Sequence, residues 1–174
     1  MDHGFVASLA AASPHPSLGV HADTYGRIIG SWLGELSLHK DGKRVSSASV
    51  EAHFGWVLEG RAVQDVWITP ARADRRTNAN AGLNWYGTTL RVFDPSTNAW
   101  NTTWTDPASQ LRIQLIGRRQ GDDIVQIGTR ADRPIRWTFS EISAESFTWQ
   151  GHILNFDGVT WTLEVDIKFR RIKA

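Results

Sequence analysis

Alternation of hydrophobic and polar positions with a period of two dominates the chain after about residue 26. This pattern is typical of β-strands that bury one face. Clusters of Gly, Asp, Asn and Pro interrupt the alternation and supply the residues that hairpin turns require. The pattern predicts about ten strands, over 28–39, 46–58, 62–69, 85–93, 99–106, 111–119, 124–130, 135–142, 147–154 and 160–171.

Short connections between most of these strands predict an up-and-down meander. A long meander usually closes on itself, because closure pairs its two exposed edges. The length of 174 residues suits one domain. We therefore expect an all-β chain with a single antiparallel β-barrel over 26–174, preceded by a short helix or arm over 1–25.

The connection over 70–84 is long and has no periodicity. Connections of this length are uncommon in compact domains and are often lids or binding loops. As a lid, this segment would bring Arg72, Arg75 and Arg76 close to the barrel mouth. The alternative is a surface loop with no part in binding.

Nine tryptophans against a single methionine are unusual for a chain of this length. Each buried tryptophan removes about 150–250 Å² from water, and nine exceed what a plain core needs. We expect several of them to line a cavity. Outward placement would instead favour a contact surface, such as that of a homodimer.

Composition excludes several classes of partner and site. The formal net charge of +1 and scattered arginines argue against a nucleic-acid partner. The longest apolar stretch is far shorter than the ~20 residues of a membrane span, and the N-terminus lacks the features of a signal peptide, so we expect a cytoplasmic protein. Without cysteine there are no thiolate ligands, and the six histidines are not at metal-ligand spacing, so we expect neither metal nor cofactor.

The hairpin around Glu59-Gly60 indicates which side chains face inward. A two-residue turn there sets the register of the flanking strands, and directly paired residues share a face. The more apolar face is predicted to be the interior, and it carries Phe54, Trp56, Val63, Asp65 and Trp67.

Asp65 is the informative member of that face, because a buried carboxylate without a partner is very costly. A four-residue loop over 95–98 pairs Arg91 with Thr102 and turns Arg91 inward. We therefore hypothesise an interior Asp65–Arg91 pair that binds a polar group of a ligand. The other register places Arg91 in water, and an interior pair can also be purely structural.

The last two predicted strands leave one register open. The final strand alternates, with an inner row of Trp161, Leu163, Val165, Ile167 and Phe169. A tight turn at Asp157-Gly158 would place His152 inside, where a histidine could move protons. A bulged turn would instead place Phe147, Trp149 and Ile153 inside, and the count of apolar residues favours it.

Two stretches carry a family resemblance. Gly30-Ser31-Trp32 resembles the Gly-x-Trp signature of lipocalins and other calycins. The set formed by 54–61, Tyr86-Gly87, 93–95, Trp100 and 104–106 is similar to a bacterial family of lipocalin-like domains of unknown function. The resemblance implies that Trp32 closes one barrel end, packed by Arg170 or Arg171. The chain lacks the longer glycine-rich opening of haem-binding nitrobindins.

The predicted function is binding of a small, largely apolar molecule, aromatic or polyene-like, inside the barrel. The predicted ligand-binding residues are Phe54, Trp56, Asp65, Trp67, Arg91, Trp104, Trp137 and Trp149. The alternative is a cofactor-free isomerase, cyclase or lyase with Asp65, Arg91 and His152 as catalytic residues. An unpaired, cavity-facing carboxylate at Asp65 would favour catalysis, and a fully satisfied one would favour binding or a structural role. A solid interior would indicate a structural or partner-binding domain.

Overall fold

The computed structural model describes residues 3–75 and 83–173. Over these residues the chain forms a closed antiparallel barrel of ten strands, which confirms the predicted fold class. The barrel strands are β2 (Gly30–Lys40), β3 (Lys43–Val57), β4 (Ala62–Thr69), β5 (Trp85–Asp94), β6 (Ala99–Asp106), β7 (Leu111–Gln120), β8 (Asp123–Arg130), β9 (Arg133–Ser140), β10 (Ser146–Leu154) and β11 (Trp161–Arg171). The other elements are α1 (His3–Leu9), β1 (Ala10–Ala11), a 3₁₀ helix (Pro16–His21), α2 (Ala22–Gly26) and α3 (Arg72–Arg75).

Each barrel strand pairs with its neighbours in sequence, and β11 pairs with β2 to close the cylinder. The short β1 extends the sheet, pairing Ala10 with Val57 and Ala11 with Trp56 at the end of β3. No helix in the described part of the chain is both long and apolar enough to cross a lipid bilayer.

The hairpin registers agree with the predictions from turn length. Phe54 lies opposite Asp65 across β3 and β4, and Arg91 lies opposite Thr102 across β5 and β6. Both pairs face the barrel interior, because all four residues are buried. The register that would have placed Arg91 in water is therefore wrong.

A bulge in the last hairpin corrects the predicted inner row of β11. The pairing of β10 with β11 passes from Gly151–Val165 to His152–Leu163 and skips Glu164. An extra residue reverses the faces of the residues that follow it. Leu163 and Trp161 therefore leave the interior. Trp161 instead contacts Arg136, which pairs with His152 on the outer face, and the Arg136 guanidinium carbon lies 4.7 Å from the centre of the Trp161 ring.

The same bulge decides the open register of β10. Phe147, Trp149 and Ile153 are buried in the core, as the bulged alternative predicts. His152 pairs with Arg136 on the outer face. The placement of His152 inside the barrel is therefore wrong, because the extra residue shifts the strand by one position.

The N-terminal arm fills one end of the barrel. Trp32 is fully buried there, and its Nε1 donates to the Ile28 carbonyl at 2.8 Å. The Arg171 guanidinium lies 4.0 Å from the Trp32 ring and donates to the Ile29 carbonyl, so Arg171 rather than Arg170 packs on this tryptophan. Gly30 has φ +131°, and a Cβ there would overlap the Arg171 guanidinium, so the position requires glycine. We call this end the closed end.

Candidate functional site

A cavity of about 180 Å³ occupies the opposite end of the barrel, which we call the open end. Its wall includes the first residue of β5, Trp85, and the last residue of β6, Asp106. It also includes the first residue of β7, Leu111, and the last residue of β8, Arg130. These strand ends meet because successive strands run antiparallel. The described interior is therefore packed at one end and hollow at the other.

Tryptophans form most of the apolar wall. The five that line the cavity are Trp67, Trp85, Trp104, Trp137 and Trp149. Four of them form a chain of edge-to-face contacts, with centroid distances of 6.5 Å for Trp104–Trp137, 5.6 Å for Trp137–Trp149 and 5.5 Å for Trp149–Trp67. This arrangement holds each indole by its neighbours and leaves ring surface facing the hollow.

An ion pair lies at the inner end of this wall. Arg91 Nη2 is 2.7 Å from Asp65 Oδ2, and their side chains are 2% and 0% exposed. The backbone N–H of Thr89 donates to the other carboxylate oxygen, Oδ1, at 2.7 Å. Arg91 lines the cavity, whereas Asp65 is not part of its wall. The predicted interior contact of the two side chains is therefore present, with Asp65 behind Arg91.

Aromatic rings surround the Arg91 guanidinium. Its central carbon lies 4.9 Å from the Tyr25 ring centre and 5.6 Å from that of Phe54. Such contacts stabilise a cation away from water. Two of its nitrogens, Nε and Nη1, are buried and have no hydrogen-bond partner among the described residues. Buried donors normally have a partner, so these two call for an explanation.

Gln126 on β8 is the second buried polar residue at the inner end. It is fully buried, lines the cavity and donates from Nε2 to the Tyr25 hydroxyl at 2.9 Å. Its Oε1 has no hydrogen-bond partner within the described ranges. Burial raises the pKa of Tyr25, so this phenol stays uncharged at neutral pH.

The carboxylates of the cavity wall both have partners. Glu164 accepts from Arg130 Nη2 at 2.7 Å on each oxygen. Asp106 accepts from the backbone N–H of Ala108 at 3.1 Å and from the Ser109 hydroxyl at 2.7 Å. Nowhere in 3–75 or 83–173 do three or more side chains of the metal-binding types meet in a way that could hold a metal ion.

The chain matches no protein-family model and no curated protein. Among solved structures, it is similar to the S-type phycobiliprotein lyase CPES from Guillardia theta. That alignment has a TM-score of 0.60 and 10% identity, and it covers 87% of this chain and 92% of the other. It is also similar to Rv2717c from M. tuberculosis, with a TM-score of 0.63, 14% identity, and coverage of 92% and 100%. The chain has a lipocalin-like fold. At these identities the similarity concerns the fold alone.

The lipocalin-like barrel brings most of the predicted binding residues together. Trp67, Arg91, Trp104, Trp137 and Trp149 all line the cavity. Their predicted role in binding remains a prediction that ligand experiments must test.

Phe54 and Trp56 lie inside the lipocalin-like barrel but outside the cavity wall. Phe54 packs on the ring of Phe147 at 6.1 Å. Trp56 lies beside β1 through its pairing with Ala11. Along β3, both residues are nearer the closed end than Ala52, which lies opposite Trp67. Side chains fill the interior of the barrel at that end. The prediction that Phe54 and Trp56 line the ligand cavity is therefore corrected, because both lie in the packed part of the interior.

His152 lies outside the cavity wall as well. Partial burial, together with the charge of Arg136, lowers its pKa, so the ring is neutral near pH 7.

The sequence analysis did not identify Gln126 as a residue of the cavity wall, although the alternation along β8 could have indicated it. Gln126 is two residues from the fully buried Ile124 on β8, so both share the inner face. Glu164 had no such signal, because it reaches the cavity through the bulge in β11.

The described arginines of the 70–84 connection bind neighbouring protein groups. Arg72 pairs with Glu51. Arg75 Nη1 donates to the Thr69 carbonyl at 3.0 Å and to the Trp85 carbonyl at 3.2 Å. Arg76 lies outside the described residues, and the interpretation of this connection as a lid stays a prediction.

Proposed function

We propose that this lipocalin-like barrel binds a small, flat, largely apolar molecule in the cavity at its open end. The observation that carries the proposal is a hollow that is lined by five tryptophans and has the buried Arg91 in its wall. Ligand sites are typically concave and mostly apolar, with a few placed polar groups that orient the ligand.

The size of the cavity limits the ligand. Its volume of about 180 Å³ is close to the ~150 Å³ of an apolar cavity that holds one benzene. It is smaller than the ~300–1,000 Å³ of sites for drug-sized ligands. The volume supports a molecule of one or two rings over a long polyene.

Arg91 is the polar anchor in this proposal. Its side chain is held by Asp65 on one side and by aromatic rings on others, so it is fixed before a ligand arrives. A pre-organised donor binds a ligand acceptor without the entropic cost of ordering a flexible side chain.

The state of Asp65 supports binding over the enzymatic alternative. A general acid or base must come within hydrogen-bond reach of the reacting group. Asp65 is fully buried behind Arg91, and its two oxygens contact Arg91 and the Thr89 backbone. An isomerase, cyclase or lyase using this carboxylate would first have to break that arrangement.

Native mass spectrometry of the protein purified from its own host tests the proposal. We expect a non-covalent adduct that is lost on denaturation. Gly151→Leu should abolish the adduct, because Gly151 lines the cavity and its Cβ would already meet the Trp149 ring at 3.0 Å. Gly55→Leu is the matched control, since a Cβ at Gly55 meets nothing within 4 Å.

Two results would count against binding in the cavity. One is an adduct that survives Gly151→Leu unchanged. The other is a protein that carries no adduct and whose tryptophan fluorescence does not respond to one-ring aromatic compounds.

A further inference from the structure

We infer that the ligand of this cavity carries a positive charge spread over an aromatic ring, as in a pyridinium ion. This inference rests on the proposed function and names the chemical class of the ligand. Two observations carry it, the surplus negative charge of the cavity and the indoles of its wall.

The charged side chains of the cavity leave one negative charge without a counter-charge. Asp65 pairs with Arg91 at 2.7 Å, and Glu164 pairs with Arg130 at 2.7 Å. Asp106 is a further carboxylate of the wall, and no cationic side chain among the described residues pairs with it. Three carboxylates therefore face two guanidiniums, counting the wall and the Asp65 side chain behind it.

Asp106 carries this surplus charge at a buried position. It is the last residue of β6, belongs to the cavity wall and is only 1% exposed. Ser109, another residue of the wall, donates its hydroxyl to Asp106 Oδ2 at 2.7 Å. Charges that are buried are screened much less by water and salt than exposed ones. Asp106 therefore acts on a ligand through its electric field, and direct contact is not required.

The indoles of the wall supply the surface that a cation contacts. Trp104 lies two residues before Asp106 on the same face of β6, a spacing of about 7 Å along the strand. Trp137 packs edge to face on Trp104, with ring centroids 6.5 Å apart. The face of an indole is electron-rich and attracts a cation more strongly than any other aromatic side chain. Indole surface and surplus negative charge therefore occupy the same part of the cavity.

Arg91 lies deeper in the barrel than this part of the cavity. The residue opposite Arg91 is Thr102, four positions before Asp106 on β6. Four residues of a strand span about 13 Å. A ligand can therefore place its cationic ring beside Trp104 and direct an acceptor towards Arg91, so the charge does not conflict with the anchor of the proposed function.

The character of the wall favours a delocalised organic cation over a compact one. A compact ammonium or metal ion is strongly hydrated, and an apolar wall does not replace the water that it would lose. Within 3–75 and 83–173, no three side chains of metal-binding types meet to hold a metal ion. A planar cation with delocalised charge is more weakly hydrated, as the guanidinium of arginine is, and it can stack on an aromatic face.

Isothermal titration calorimetry with two matched pairs of compounds tests the charge argument. N-methylpyridinium and toluene share a shape, and the pyridinium keeps its charge at every pH. Benzamide and benzoate also share a shape, and only benzoate is an anion at neutral pH. We expect N-methylpyridinium to bind at least about tenfold more tightly than toluene, and benzamide to bind more tightly than benzoate. Toluene binding as tightly as N-methylpyridinium, or benzoate as tightly as benzamide, would overturn the inference.

Asp106→Asn tests the surplus charge, because asparagine keeps an acceptor oxygen for the turn that follows β6. It should weaken N-methylpyridinium binding about five- to tenfold and leave toluene binding unchanged. Asp94→Asn is the matched control. Asp94 also accepts from a backbone N–H and a hydroxyl, those of Ser96 at 2.8 and 2.6 Å, but it is not part of the cavity wall. Equal losses in the two variants, or no loss in Asp106→Asn, would contradict the role of the surplus charge.

Trp137→Leu tests the indole surface, because leucine keeps the wall apolar but has no ring face. It should weaken the binding of N-methylpyridinium more than that of toluene. Trp161→Leu is the control, since Trp161 contacts Arg136 on the outer face and is not part of the cavity wall. If Trp137→Leu weakens both compounds by the same factor, the contact of the cation with indole surface is wrong.

The outcomes separate this inference from the proposed function. Toluene binding that is abolished by Gly151→Leu, together with N-methylpyridinium binding no tighter than toluene, would keep the proposed function and overturn the assignment to a cation. Failure of all four compounds to bind would contradict both.

Discussion

The two ends of the barrel use the same residue types differently. At the closed end, Trp32 donates its Nε1 to a backbone carbonyl, and Arg171 stacks on its ring while donating to another carbonyl. At the open end, by contrast, five tryptophans and Arg91 border a cavity of about 180 Å³. The closed end is filled by packed side chains, whereas the open end keeps a hollow beside its indoles.

The difference shows what the tryptophans contribute in each place. A satisfied, fully buried indole adds apolar burial to the free energy of folding. An indole beside a hollow makes fewer van der Waals contacts, and part of its ring surface remains uncovered. The following predictions contrast matched positions from the two settings.

The two interior ion pairs should differ most in their effect on stability. Asp65→Asn leaves the buried Arg91 charge without its counter-ion, which should cost about 3–5 kcal/mol of unfolding free energy. Glu164→Gln should cost less than about 1 kcal/mol, because the Arg130–Glu164 pair is about one-third exposed at the mouth. Urea denaturation measures both. Equal losses would show that the inner pair is no more desolvated than the mouth pair.

The tryptophan contrast comes next. Trp32→Ala should lower the unfolding free energy by about 3–5 kcal/mol, because the residue is fully buried and densely packed. Trp137→Ala should cost clearly less, because this half-buried ring borders the cavity. Chemical denaturation of both variants checks this. A larger loss for Trp137→Ala would contradict the distinction between a packed end and a hollow end.

Gly87 and Gly55 test how closely the cavity wall is packed. A Cβ at Gly87 would overlap the Trp104 ring and lie 2.8 Å from the Thr105 carbonyl oxygen. Gly87→Ala should therefore cost about 1–3 kcal/mol. Gly55→Ala, where a Cβ meets nothing within 4 Å, should change stability by no more than about 0.5 kcal/mol. Thermal unfolding compares them, and an unchanged midpoint for Gly87→Ala would argue against this contact.

The smallest effect concerns Tyr25 and is limited to alkaline pH. Burial raises its pKa above the unfolded value of 10.0, so the folded state holds the phenol proton more strongly. The resulting stability is fully present below pH 10 and is lost as pH rises through the folded pKa. Tyr25→Phe should therefore show a shallower loss of stability above pH 10, and an unchanged slope would contradict this role.

Turn length and alternation were sufficient to predict much of this site. The two-residue turn before Arg61 and the four-residue loop before Ala99 set registers that bring Asp65 and Arg91 to the interior. Their contact was a hypothesis based on the cost of burying a lone carboxylate, and the structure excluded the other register, which would have placed Arg91 in water. The closed end followed from the Gly-x-Trp resemblance, although that left Arg170 and Arg171 as alternatives.

The remaining features depend on three-dimensional packing. A bulge that adds one residue to β11 has no marker in the alternation, so the inward turn of Glu164 and the outward turn of Leu163 were not predicted. The volume of the cavity also depends on how side chains from many strands fill the cylinder. Alternation shows that Phe54 and Trp67 share a face, but not that only Trp67 borders the hollow.

Fluorine NMR of protein labelled with 5-fluorotryptophan tests the central claim most directly. The nine tryptophans give separate resonances that single Trp→Phe variants can assign. On titration with benzamide, we expect the signals of the five cavity tryptophans to shift and that of Trp32 to stay in place. A shift at Trp32 with none at Trp104, Trp137 or Trp149 would contradict the account.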